Sequence, residues 1–211
     1  MKTHPHLLMR DALAAEFVSA AGGADEARAR LRALAHWEAG EPAAEALAEL
    51  RAEDGGPLFD ADGKPAARFA PIEAYARDRA RRFEAALTWI QDEQCAGDPL
   101  ETARAAWDAG LFFEVHELLE PVWLQTRGAE RDVLRGLIMA GAAMHHLVQS
   151  NLAGARGLLR DAARHLESLP GATPLDLERF ARALLQLARG IDSGEIHGPD
   201  DVVDPPRLER R

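Results

Sequence analysis

Apolar and polar positions follow a helical pattern along almost all of the 211 residues. Ala, Leu, Arg and Glu, strong helix formers, dominate, and no alternating β-branched run is long enough for a strand. Turn chemistry punctuates the helices at "AGGAD" (Ala21–Asp25), "EDGGPLFDADGKP" (Glu53–Pro65), "CAGDP" (Cys95–Pro99) and "LPGATP" (Leu169–Pro174). Several helix starts are legible. Asp98 reads as an N-cap with Pro99 at the first helical position and Glu101 completing a capping box. Thr173, Pro174 and Asp176 repeat that logic, and "EPAAE" at Glu41 and "APIE" at Ala70 open with proline in its tolerated place. The pattern predicts an all-α fold of about eight or nine helices, with antiparallel neighbours around one buried pair. Residues 1–97 read as a helical extension packed on the remainder, 98–190 as the main helical domain, and 191–211 as an extended tail poor in apolar residues. The glycine-rich stretch around Gly55–Ala70 is the candidate boundary or mobile loop.

One stretch breaks the pattern. "LFFEVHELLEPVW", Leu111 to Trp123, sets ionisable groups among large apolar residues. At about 100° per residue, Phe112, Val115, Leu119, Val122 and Trp123 share one apolar arc, and Phe113 and Leu124 lie on its far side. His116 and Glu120 fall between the two groups, one turn apart, so the wheel predicts that both are buried. Glu117 sits at the edge of that sector, and Glu114 and Pro121 point to the opposite face. A buried carboxylate or imidazole demands a partner, a proton or a metal. Pro121 removes the hydrogen bond to the Glu117 carbonyl and predicts a kink or restart there.

Downstream, "RDVLRGLIMAGAAMHHLVQSN" predicts a helix from about Glu130 to Gln149. Between Leu137 and Val148 it is apolar almost all round except for His145 and His146, which implies central burial. Gly136 and Gly141 permit close approach of a neighbour. The short connection makes this helix antiparallel to the preceding one and brings one of the two histidines opposite His116 and Glu120. The wheel places His145 in the core and His146 nearer Arg135 and Gln149.

Composition narrows the partners. A formal net charge of −10 argues against a nucleic-acid backbone as ligand, which needs a basic footprint. "RDRARR" (Arg77–Arg82) reads as a solvated helix face. Apolar runs fall well short of a bilayer span and the first residues do not read as a signal peptide, so the expected location is cytoplasmic. The single cysteine, Cys95, excludes an intramolecular disulfide and any cysteine-rich metal site.

His116, Glu120 and Trp123 form a His-x-x-x-Glu-x-x-Trp pattern, with Glu114 and Glu117 in "FFEVHELLEPVW" around it. A second block follows in order: His146 before Leu147, then Asn151 and Gly154-Ala155. Together they resemble the bacterial and archaeal family called domain of unknown function 309, over roughly Arg104–Leu169. Pro121 departs from the polar residue usual at its position. The resemblance implies a compact helical domain with no assigned activity and a motif suspected of binding metal, and it favours His146 over His145 as the residue facing the site.

Two functional readings follow. In the first, His116, Glu120 and His146 hold a divalent metal (zinc, iron or manganese), with Glu117 as general base of a metal-dependent hydrolase or oxygenase-type enzyme. Glu120 stands where the zinc-hydrolase pattern has its second histidine, so a zinc protease is not expected. In the second, the cluster belongs to a non-catalytic module. It binds a small polar ligand or a protein, or simply locks packing, and Phe113, Trp123, Trp107, Glu114 and His145 line the pocket.

Overall fold

The computed structural model describes residues 4–36, 44–169, 171 and 173–211; the expected helix start at Glu41 lies outside them. Among the described residues the chain is all-α, and its only β features are isolated bridges. It divides into two units, residues 1–105 and 106–211.

The first unit holds α1 (Pro5–Ala21), α2 (Asp25–Ala35), α3 (Ala44–Ala48), α4 (Glu73–Asp92) and the greater part of α5 (Pro99–Asp108). Its core forms around Phe17 and Phe83, stacked with ring centroids 5.0 Å apart, with Leu13, Leu31 and Leu34 fully buried. The turn-rich stretch before α4 belongs to this core rather than marking a boundary. Leu58, Phe59 and Phe69 are buried, bridges join Arg51 to Pro57 and Phe59 to Pro65, and Arg68 grips Asp54 through two hydrogen bonds. Three large apolar side chains hidden among glycines and aspartates are enough to pin it. At α5 the Asp98 carboxylate caps as expected, accepting from the Leu100 and Glu101 N–H groups, while Glu101 is buried and pairs with Arg104.

The second unit holds α6 (Phe112–Gln125), α7 (Gly128–Val148), α8 (Leu152–Glu167) and α9 (Leu177–Ser193), each packed on the next. The cap of α9 is Asp176, which accepts from the Arg179 N–H; Thr173 instead accepts from Leu175 N–H, so the helix begins later than the first Thr-Pro signal suggests. Trp107 is its aromatic centre, edge-on to Phe112 and Phe180 at 5.0 Å from each ring. Beyond Gly194, whose φ of 74° closes α9 in a left-handed cap, the chain is extended apart from a 3-10 turn at Pro199–Asp201. This segment is anchored. The Trp107 indole donates to the Pro206 carbonyl at 2.5 Å, Leu208 is buried, and residues 209–211 bond back to Pro174–Asp176 beside the start of α9.

Candidate functional site

Small residues set the spacing of α6 and α7. A Cβ on Gly141 would stand 3.0 Å from the Phe112 carbonyl oxygen and 3.3 Å from the Val115 side chain. Glycine there lets the two helices approach this closely. The antiparallel register runs outward from that contact. Phe113 meets His145 with ring centroids 5.3 Å apart. At the other end the Arg131 guanidinium lies 4.2 Å over the Trp123 ring and donates to the carbonyls of Trp123 and Thr126. Arg131, which sequence reasoning missed, thus ties the last turn of α6 to the first turns of α7, and the Trp123 indole N–H is buried without an acceptor.

The structure corrects the burial expected on α6. Phe112, Val115 and Leu119 face the core, as the wheel has them, but Glu120 is exposed and His116 is only half-buried, with 33% of its side chain accessible. Glu114, assigned to the opposite face, is the buried carboxylate at 1%. Two apolar groups flanked the polar residues on the wheel, and the core took only one of them. Phe113 and Leu124 lie off that buried arc, Phe113 half-buried beside His145 of α7 and Leu124 64% exposed, and Glu120 falls between them along the helix. Helix α6 also continues through the exposed Pro121, so the helix does not restart there.

His116 bonds its neighbour rather than Glu120: its Nδ1 lies 3.1 Å from Glu117 Oε1. That hydrogen bond raises the His116 pKa above the ordinary histidine value. Partial burial opposes the rise, and the charges of Glu117 and Glu120 add to it.

His146 sits in the last turn of α7, where it braces the junction to α8. Asn151 caps α8 by accepting from the Gly154 N–H through Oδ1. This fixes the amide so that its NH2 faces His146 Nδ1 at 3.0 Å. The imidazole nitrogen is therefore the acceptor, and the neutral ring carries its proton on Nε2. A Cβ on Gly154 would lie 2.9 Å from the Asn151 amide nitrogen and 3.1 Å from His146 Nδ1, which accounts for a glycine there. The second sequence block, His146, Asn151 and Gly154, is thus one helix-junction device. His165, also unremarked in the sequence, braces the other end of α7 through Nε2 on the Asp132 carbonyl at 2.9 Å.

The donor set does not fit a metal as it stands. Among the described residues no group of three or more His, Cys, Asp or Glu side chains gathers closely enough to hold one. His146 Nδ1 is engaged by Asn151 on the α8 side, whereas the Glu117 bond uses His116 Nδ1 and leaves its Nε2 free. The neutral Nε2–H tautomer of His146 has no free lone pair to offer while Nδ1 accepts.

These features define a helical unit whose signature residues divide between a solvent-facing strip on α6 and a capping device at the α7–α8 junction. Residues 100–158 match the family model "Domain of unknown function (DUF309)", a segment that begins and ends somewhat earlier than the motifs suggested. An uncharacterised protein of Aquifex aeolicus (strain VF5) is 29% identical over 118 residues, which is 52% of this chain and 31% of that protein; the chain spans about a third of its length. No solved structure matches the chain significantly. No helix among the described residues is long and apolar enough to cross a membrane.

Proposed function

We propose that the second unit is a non-catalytic protein-binding module whose recognition strip is the outer face of α6. The observation that carries this reading is the composition of that face. Phe113, Glu117, Glu120 and Leu124 lie within about 60° of one another along three turns, with an apolar residue at each end and two carboxylates between. Glu120 and Leu124 are exposed and the other two half-exposed. A contiguous apolar–acidic–apolar strip on a helix suits an amphipathic partner helix with basic residues between two apolar anchors. His116, bonded to Glu117, holds that carboxylate on the strip.

The test uses a synthetic amphipathic Lys/Leu helical peptide as probe, with a Glu/Leu peptide of the same pattern as control, followed by amide shifts of the full chain. Saturable shifts confined to α6 with the basic peptide, weakened about tenfold by Leu124→Ser or by Glu117→Gln with Glu120→Gln, support the reading. Equal response to both peptides, or shifts that ignore these substitutions, defeat it. So does about one equivalent of zinc, iron or manganese in untagged protein that is lost on Glu120→Gln, which would restore the metal-dependent enzyme.

A further inference from the structure

The second unit carries a cleft, far from α6 in sequence, between α9 and the C-terminal segment. The Glu195 and Ile196 N–H groups bond back to the Gly190 carbonyl, residues 197–205 then arch toward the other end of α9, and residues 209–211 are tied beside its start. The groove between helix and segment is open to solvent and holds about 650 Å³, a volume within the range of small-molecule sites. Ala183 and Leu187 of α9 form its floor with Ile196, and Val202, Val203 and Pro205 line the arch.

The charges lining the cleft do not cancel. Its two cations are matched: Arg179 pairs with Glu209, and Arg207 lies 3.7 Å from Asp204. Glu195 and Asp201 also line it, and neither makes an ion pair among the described residues. The Asp201 carboxylate is fixed in place by accepting the His197 N–H at 2.7 Å, with its charge left unpaired. Both carboxylates are exposed, so the groove sets an aliphatic floor beside two solvated, unmatched charges, which suits a ligand with an aliphatic body and positive charge. No three acidic or imidazole side chains among the described residues come close enough to hold a metal ion. The positive charge is therefore better carried on a chain than concentrated in one ion.

We propose that this cleft binds an alkyl amine of the polyamine type, its methylenes against Ala183 and Leu187 and its ammonium groups toward Glu195 and Asp201. Calorimetric titration of the full chain with spermidine at low salt tests it, with magnesium as the control for diffuse attraction to a chain of net charge −10. The expected result is saturable one-to-one binding. It should weaken about tenfold in Glu195→Gln with Asp201→Asn, the loss of charge-assisted hydrogen bonds. Ala183→Phe, which fills the floor from a half-exposed helix position without changing charge, should abolish it. Should that variant unfold, amide shifts of Val202 and Val203 on adding spermidine to the native chain read the same occupancy. Absence of saturable binding overturns the proposal. So does spermidine binding that survives both substitutions or leaves Val202 and Val203 unmoved, or an equal response to magnesium.

Discussion

On α6 the fold shifts the titration of His116. Its folded pKa lies above the unfolded value of 6.5. The pair with Glu117 therefore stabilises fully below that pH, and the contribution is lost as pH rises through the raised folded value. Both partners are about a third exposed, so the gain after solvent screening is at most about 1 kcal/mol. NMR titration should place the His116 pKa above 6.5 in the native chain and lower in Glu117→Gln. The stability gap between the two proteins should shrink from pH 6 toward pH 8.5 or so; a constant gap would mean that His116 is not the titrating partner. At the α7–α8 junction, Asn151→Asp keeps the acceptor for Gly154 N–H but removes the donor facing His146. Nitrogen-15 shifts should then show the His146 proton moving from Nε2 to Nδ1, whereas an unchanged tautomer would contradict the capping role. The residue types were all visible in the sequence, but the pairing was not. A wheel gives direction around one helix, and Glu117 took His116 because an adjacent side chain can curl toward it at the surface.

Between α6 and α7 the controlling feature is the glycine contact. Gly141→Ala puts a methyl group against a backbone carbonyl 3.0 Å away, which cannot move without shifting α6. The expected loss is about 1–3 kcal/mol despite alanine's better helix propensity, read as a lowered urea midpoint with unchanged slope; a gain in stability would show that the helices have room to separate. Pro121 makes the opposite prediction. It is exposed within a helix that continues past it, and its ring denies the Glu117 carbonyl a donor. Pro121→Ala should raise the thermal midpoint by restoring that bond, unless α6 is bent to suit the ring. Sequence reasoning expected a kink or restart at Pro121, because proline's local cost is legible in one segment while the packing of Phe112, Val115 and Leu119, which carries the helix past it, is not.

On the scale of the whole molecule, the C-terminal segment is structural in the second unit. Truncation after Asp204 removes buried Leu208 and leaves the Trp107 indole without its acceptor. The expected cost is about 3–5 kcal/mol, seen as an earlier calorimetric transition and a gain in Trp fluorescence quenching by acrylamide. An unshifted transition would show that the tail is dispensable. The division between units falls at 105/106, inside α5, rather than in the loop at 55–70 that turn chemistry singled out. The expectation that the first 97 residues rest on the remainder calls for scanning calorimetry of the full chain. One cooperative transition supports that dependence, and two independent ones would separate the units.

The sequence by itself determined the helical class, the Asp98 cap of α5 and a segment that the family model matches. These depend on local spacing, capping chemistry and composition, all of which act within a few residues. Which of two apolar arcs on α6 turns inward, which carboxylate is buried and what His146 bonds were decided only by tertiary structure. Each depends on the cost of desolvating one face against a particular neighbour. Burial of Glu114 and exposure of Glu120 depend on what packs around α6, and no periodicity within α6 contains that information.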